Sequence, residues 1–370
     1  MENKDERFQR IESIVNSFIQ KKNIPGISIQ MVSNGVTVFT FDRGYSNIQS
    51  QKRMNQNSIS SIMSLTKSFT TNALLHLAEH THFTLDTPIV EYLPCFRTKS
   101  GQFNRITTNH ILSHTAGFPE NIWLVTLLDK DLFTLVMQSP EYHFIFKQVP
   151  DIEKIINNIK SREDITKYFS SIELEYEPGE GWKYCTDAYV IAADILEKVS
   201  GLTWEEYVIK HIIKPLNMNS TYINPSLKTS IENMSHYYLY KNGDYHQVPF
   251  PYNPLGAPVG FIYSSTNDMA KYLIAHMDNK QKIISISARN NMFVMMAPRE
   301  PGLSYGLGWK IKRVRNLKIM EHAGGCPGVS SFAAMIPEKN FGLVILCNTG
   351  EIPLQKISDQ IIDSLYLSNQ

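Results

Sequence analysis

Ser64-Leu-Thr-Lys67 is the only Ser-x-x-Lys in the chain. The spacing predicts both side chains on one face at the start of a helix, one turn apart. A serine hydroxyl is a poor nucleophile until a base takes its proton. A lysine can be that base only when burial or a cationic neighbour brings its pKa well below its free value of about 10.4. The helix start adds backbone N–H donors and a positive dipole end, which suit a developing oxyanion. Taken alone, the pair also fits an ordinary exposed Ser and Lys.

Tyr184-Cys-Thr186 follows Pro178-Gly-Glu-Gly181 and precedes a helical pattern. A phenol beside an ammonium loses its proton more easily and can act as a general acid or base. With 18 tyrosines in the chain, a packed core Tyr is the competing reading. His322-Ala-Gly-Gly325 is the third stretch, at a strand end before Cys326-Pro-Gly328. Two glycines let a backbone run close beside a substrate. A backbone N–H there could be a second oxyanion donor. The alternative is a Gly-rich turn with an incidental His.

Other constellations carry less. His76, His80 and His82 lie close together, and His110 and His114 are spaced i, i+4 as zinc ligands can be. No His-Glu-x-x-His accompanies them, so the expectation is no metal and no cofactor. Cys185 and Cys326 flank two of the motif residues and read as packing rather than redox control. Four cysteines without a CxxC pair make neither a disulfide framework nor a zinc ribbon. Gly306 and Gly308 have no helix after them, which excludes a phosphate loop.

The elements that must position these residues can be read from periodicity. Phe8, Ile11, Ile14, Val15, Phe18 and Ile19 give residues 5–21 a helical stripe. Apolar runs on either side of Ser33-Asn-Gly35 predict a β-hairpin. Helices are expected over 64–80, 107–113, 189–199 (ended by Gly201) and 202–213 (stopped by Pro215). Residues 120–176, with Trp123, Phe133, Tyr142, Phe144 and Phe146, read as helices and loops forming a cap. Strands are expected over 305–309, 310–314, 317–320, 332–336 and 341–347, then a last helix over 353–367. Strands at both ends and helices between imply an α+β fold, an antiparallel sheet with flanking helices plus an inserted, mostly helical region. The boundaries are 1–62 and 255–370 for the sheet domain and 63–254 for the helical one, with the site at their interface.

Together and in this order, the three stretches resemble the serine β-lactamase and penicillin-binding-protein family. The likeness is strongest to its branch of class C β-lactamases, D,D-carboxypeptidases, D-aminopeptidases and esterases, and it runs nearly end to end. Ile106 to Gly117 is similar to the family's ITxxHLLxHTSG, and Pro178 to Gly201 to PGxxFxYSNxGYxLLGxIIEKVSG. Tyr207 to Met218 resembles YxxxxIxxPLGM, and Tyr263 to Met269 resembles YSTAxDL. Tyr305 to Trp309 matches YGLGW, and His322 to Ser331 matches HxGxxPGxSS. The resemblance implies a β-lactamase/transpeptidase-like fold. It implies Ser64 as the acylated nucleophile, Lys67 as its proton-transfer partner and Tyr184 as general acid or base. It places His322 and Gly324 on an edge strand lining the site, and makes the N–H groups of Ser64 and Gly325 the oxyanion hole. Which of Lys67 and Tyr184 takes the Ser64 proton stays open at this point.

Two departures bear on the substrate. Thr186 stands where the family usually has an Asn that holds the substrate amide and the Lys. His322 stands where many β-lactamases carry Lys, so a permanent cation for a substrate carboxylate is missing. Both point to an esterase or peptidase rather than a true β-lactamase. A transacylase, and a non-catalytic penicillin-binding sensor or scaffold, are the alternatives. Residues 118–177 either shape the substrate pocket or form a structural cap.

Composition limits the partners. With 36 Lys plus Arg against 35 Asp plus Glu, the net charge is +1 and the positives are scattered. Neither nucleic acid nor an anionic membrane is called for. Hydrophobic residues at 42% and charged ones at 19% suit a 370-residue globular chain with a sizeable core. The charged N-terminus lacks an apolar signal region, so a cytoplasmic location and a small-molecule or short-peptide substrate are expected. Oligomeric state is not readable.

Overall fold

The computed structural model describes residues 4–120, 122, 124–128, 130–131, 133–134, 152–223, 231–277, 283–294, 296–300 and 302–367. Its helices are α1 (Lys4–Lys22), α2 (Thr66–His80), α3 (Thr108–Leu112), α4 (Leu124–Leu128), α5 (Ile152–Asn158), α6 (Arg162–Tyr168), α7 (Ala188–Ser200), α8 (Trp204–Val208), α9 (Ala257–Gly260), α10 (Thr266–Met277), α11 (Ile286–Met292) and α12 (Leu354–Ile362). The strands are β1 (Gly26–Ser33), β2 (Val36–Asn47), β3 (Lys52–Arg53), β4 (Ser60–Ser61), β5 (Tyr222–Ile223), β6 (Tyr237–Lys241), β7 (Asp244–Val248), β8 (Ile262–Ser264), β9 (Ala297–Glu300), β10 (Leu303–Tyr305), β11 (Lys310–Val314), β12 (Leu317–Cys326), β13 (Val329–Ile336) and β14 (Phe341–Cys347).

A nine-stranded antiparallel sheet in the order β3-β2-β1-β14-β13-β12-β11-β10-β9 joins the two ends of the chain. Its centre alternates between two buried faces. Ile27, Ile29 and Met31 of β1 and Leu343, Ile345 and Cys347 of β14 pack with Ile11 and Val15 of α1 and Ile357 and Ile361 of α12. The opposite face, through Val32, Val344 and Leu346, joins the larger core built from α2, α7 and α10. Period-2 strands buried on both faces read as continuous apolar runs, which is why β14 stands out in the sequence.

The β1–β2 turn has positive φ at both Asn34 and Gly35, the geometry that matches strand twist. Gly201 ends α7 in a left-handed conformation. Three expectations need correction. The strand expected over 305–309 stops at Tyr305, because Gly308 has φ +73 and residues 307–309 form a bend. The helix expected over 202–213 is α8 followed by a wider π turn at Ile209–Ile213. The mostly helical middle also contains the β6–β7 hairpin, turned at Asn242 and Gly243, both at positive φ.

Of the expected cap, Phe118, Ile122, Leu124 and Val125 are buried in the main core, and Leu127 is buried as well. Phe133 is half-buried. Trp123, Tyr142, Phe144 and Phe146 lie outside the described residues.

Candidate active site

Ser64 lies in a single 3-10 turn, Met63–Leu65, that leads into α2. Met63 takes φ 45, a costly conformation for a residue with a side chain. The surroundings hold it there. Met63 packs among Tyr237, Val248 and Val329, and the Ser61 N–H donates to Tyr237 Oη at 2.8 Å. From the sheet, Ser331 Oγ donates to the Ile62 carbonyl at 2.7 Å. The Ser64 turn is thus pinned between the β6–β7 hairpin and strands β12 and β13.

Lys67 is fully buried on the first turn of α2. Its Nζ donates to Ser64 Oγ at 3.1 Å and to the Val259 carbonyl of α9 at 2.9 Å. Burial disfavours the ammonium and lowers its pKa to about 7, against the opposing pull of Asp187 and Cys185. The amine is therefore partly free of its proton near neutrality, as a base for Ser64 must be.

Tyr184 stands on the other side of that amine, with Lys67 Nζ 5.1 Å from its ring centre. Its hydroxyl is buried without a hydrogen bond of good geometry, although Ser64 and Thr186 lie close enough to pull its pKa down. Burial outweighs them and pushes the phenol well above its ordinary value of 10. His114 positions this segment. Its Nδ1 accepts the Cys185 N–H at 3.2 Å, and its carbonyl accepts the Lys183 N–H at 3.0 Å. Its ring lies 4.3 Å from that of Tyr184.

His322 approaches from β12. Its Nδ1 lies 2.7 Å from the Ala323 carbonyl, which can only accept, so Nδ1 carries the proton. Nε2 then accepts from the Tyr305 hydroxyl at 2.9 Å. Burial, and next the Lys67 charge, lower its pKa to about 3. β12 is not an edge strand of the sheet, as the sequence reading had it. It pairs with β11 from Leu317 to Glu321 and with β13 from Met320 to Cys326. From His322 to Cys326 the β11 side is open, because β11 ends its register at Lys310, and this stretch faces the site.

Gly324 lies against Ser64. A Cβ there would come within 2.4 Å of both the Ile62 carbonyl and Ser331 Oγ, and 2.9 Å of the Ser64 nitrogen. Gly325 is looser, with only the Val329 carbonyl in range at 3.5 Å. The structure therefore brings Ser64, Lys67, Tyr184, Thr186, His322 and Gly324 into one place, with Gly325 the next residue along β12.

Sequence reading did not single out Tyr305, Asp187 or the Val259 carbonyl, and took His114 as structural only. Tyr305 and His114 lay inside quoted motifs. Asp187 and Val259 carried no signal. Of the histidines noted for metal spacing, His114 lies beside Tyr184 while His76, His80 and His110 make other contacts. His76 stacks on His80, with ring centres 4.1 Å apart, and its Nδ1 bonds Tyr207 Oη at 2.9 Å. His110 sits beside the Thr107 N–H that starts α3. Among the described residues no group of three His, Cys, Asp or Glu is arranged to hold a metal ion. None of the four cysteines is in a disulfide; Cys185 lies in the main core and Cys326 is half-buried at its margin.

A serine at a helix start, a buried lysine one turn on, and a glycine strand laid beside them form the architecture of serine acyl-transferases and hydrolases of the penicillin-binding kind. The chain belongs to the Beta-lactamase family, whose model matches residues 11–364. Protein flp of Staphylococcus aureus (strain MW2) is 25% identical over 357 residues, 95% of this chain and 65% of that protein. This chain thus spans about 65% of the length of such relatives. The octameric penicillin-binding protein homologue from Pyrococcus abyssi superposes with a TM-score of 0.84 and 26% identity, over 97% of this chain and 77% of that one. A D-stereospecific amidohydrolase from Streptomyces has the same fold (TM-score 0.73, 22% identity, all of both chains covered). Among the described residues no helix is long and apolar enough to cross a membrane.

Proposed function

We propose that this chain is a serine hydrolase that acts through an acyl-enzyme on an uncharged ester or on the amide of a D-amino-acid-type short peptide, in preference to β-lactams. The observation that carries it is the Lys67 amine, fully buried and 3.1 Å from Ser64 Oγ. Unprotonated Lys67 takes the Ser64 proton while Oγ bonds to the carbonyl carbon. The N–H groups of Ser64 and Gly325 receive the oxyanion. Tyr184, kept neutral by burial, passes a proton to the leaving group as the tetrahedral adduct collapses. Water then attacks the acyl-enzyme and gives its proton to the Tyr184 phenolate, and Ser64 Oγ departs with the proton that Lys67 took from it.

The preference among substrates rests on charge. His322 is neutral with both ring nitrogens engaged, so β12 offers no cation to a substrate carboxylate. Thr186 offers no side-chain amide. The Streptomyces amidohydrolase makes D-amino-acid amides a class to include in any screen.

The test is intact mass after exposure to a fluorophosphonate, with peptide mapping and a panel of esters, D-amino-acid amides and lactams. One adduct on Ser64, abolished in Ser64→Ala, with turnover of esters or amides, is the expected result. A folded protein that gives no adduct overturns the reading. An adduct formed by a lactam and never released would point to a sensor instead.

A further inference from the structure

The backbone of Val125, on α4, is gripped from both sides. Its N–H donates to Asp187 Oδ1 at 2.7 Å. Its carbonyl accepts from Asn253 Nδ2 at 2.5 Å. Both partners are buried, and each leads to Lys67. Asp187 directly follows the Tyr184-Cys-Thr186 stretch and bears on the Lys67 charge. Asn253 Oδ1 accepts the Gly256 N–H at 2.9 Å, and Gly256 opens the turn into α9, whose Val259 carbonyl holds Lys67 Nζ. Gly256 has no room for a side chain, since a Cβ would meet Val125 Cγ1 at 2.3 Å. The same loop is held on its other side by Arg162, which donates to the carbonyls of Pro254 at 2.8 Å and Leu255 at 3.2 Å.

We infer that Asp187 and Asn253 are positioning residues, which clamp the Val125 backbone N–H and carbonyl between them and so tie α4 to the charge and the carbonyl that hold the Lys67 amine. Asp187 supplies the charge and Asn253 the geometry. The groups that face Lys67 are Asp187 and Cys185 ahead of α7, Tyr184 and Tyr189 by their rings, and His322 on β12. Burial keeps the Cys185 thiol and both phenols protonated, and His322 is neutral. Asp187, raised to about 6 by burial but opposed by the Val125 and Leu124 amides and by Lys67, is ionised at neutral pH. It is the anion that Lys67 faces among the described residues.

The inference shares Lys67 with the proposed hydrolase but does not need turnover to be tested. Lysine-13Cε-labelled protein gives the Lys67 titration directly, with Lys67→Met for assignment. Asp187→Asn keeps an acceptor for the Val125 N–H and removes the charge. Its Lys67 midpoint should fall by about one pH unit. Asn253→Ala removes the grip on the Val125 carbonyl and leaves the charge. It should slow fluorophosphonate labelling of Ser64 by roughly tenfold or more, with the pH of half-maximal labelling unmoved. A Lys67 midpoint unchanged in folded Asp187→Asn, or labelling unchanged in Asn253→Ala, overturns the assignment. Wild-type protein that titrates as described but never labels would fail the hydrolase reading and leave the Asp187 result to stand.

Discussion

Tyr305 Oη donates to His322 Nε2 at 2.9 Å, which fixes His322 as the neutral Nδ1–H tautomer. The phenol stabilises the uncharged ring, and burial does the rest. The His322 ring resonances should therefore not titrate between pH 5 and 8. In Tyr305→Phe the neutral form loses its donor, so protonation should move to higher pH, measured by the same resonances. A wild-type His322 that titrates near 6.5 would remove the argument for uncharged substrates.

The pH dependence of acylation follows from Lys67 and Tyr184. Lys67 must lose its proton to serve as base, and its pKa is lowered to about 7. The rate of fluorophosphonate labelling should rise with pH through about 7 and then level off. Tyr184 is raised above 10, so no second limb is expected below that pH. Tyr184→Phe should keep the rising limb and lower the plateau, by roughly a hundred- to ten-thousand-fold for a general acid. A descending limb near 8, lost in Tyr184→Phe, would instead make the phenolate the base.

The same amine lowers stability. The folded chain has lost the Lys67 proton above about 7, and the unfolded chain keeps it up to the ordinary value of 10.5. Stability from this group therefore rises with pH from 7 to 10.5, and the penalty is complete below 7. Lys67→Met removes the buried amine and retains most of its volume. It should abolish labelling and raise stability at pH 7 by on the order of 1–3 kcal/mol. The gain should shrink by pH 10, as followed by denaturant unfolding at the two pH values. A variant less stable than wild type at pH 7 would contradict the desolvation argument.

Local spacing made the chemistry readable. Ser64 and Lys67 are one turn apart, and a side-chain contact at 3.1 Å follows from that alone. β14 and α1 were readable because their apolar patterns are strict. The β6–β7 hairpin was equally readable, since Asn242-Gly243 sits between tyrosine-rich runs; it was lost inside a stretch taken as helical. Asp187 was not readable. An Asp ahead of an apolar helix suggests an N-cap, but here its backbone is already helical and its side chain makes no cap bond. It turns instead to Val125, 62 residues earlier, and no local pattern encodes that. The Val259 carbonyl is hidden for the same reason, since any residue type presents one.

Gly324 and Gly325 separate steric need from hydrogen bonding. Both keep a backbone N–H when changed to alanine, so only the added methyl differs. At Gly324 that methyl meets the Ile62 carbonyl and Ser331 Oγ at 2.4 Å, and these two are bonded to each other. Neither can give way without moving the turn that carries Ser64. At Gly325 the nearest atom is 3.5 Å off, an ordinary contact. Gly324→Ala should therefore slow Ser64 labelling by about a hundredfold or more, as a displacement near 1 Å does in a preorganised site. Gly325→Ala should label within a few-fold of wild type. Equal losses in the two variants would mean that β12 does not sit against the nucleophile as described, and the oxyanion role proposed for the Gly325 N–H would fall with it.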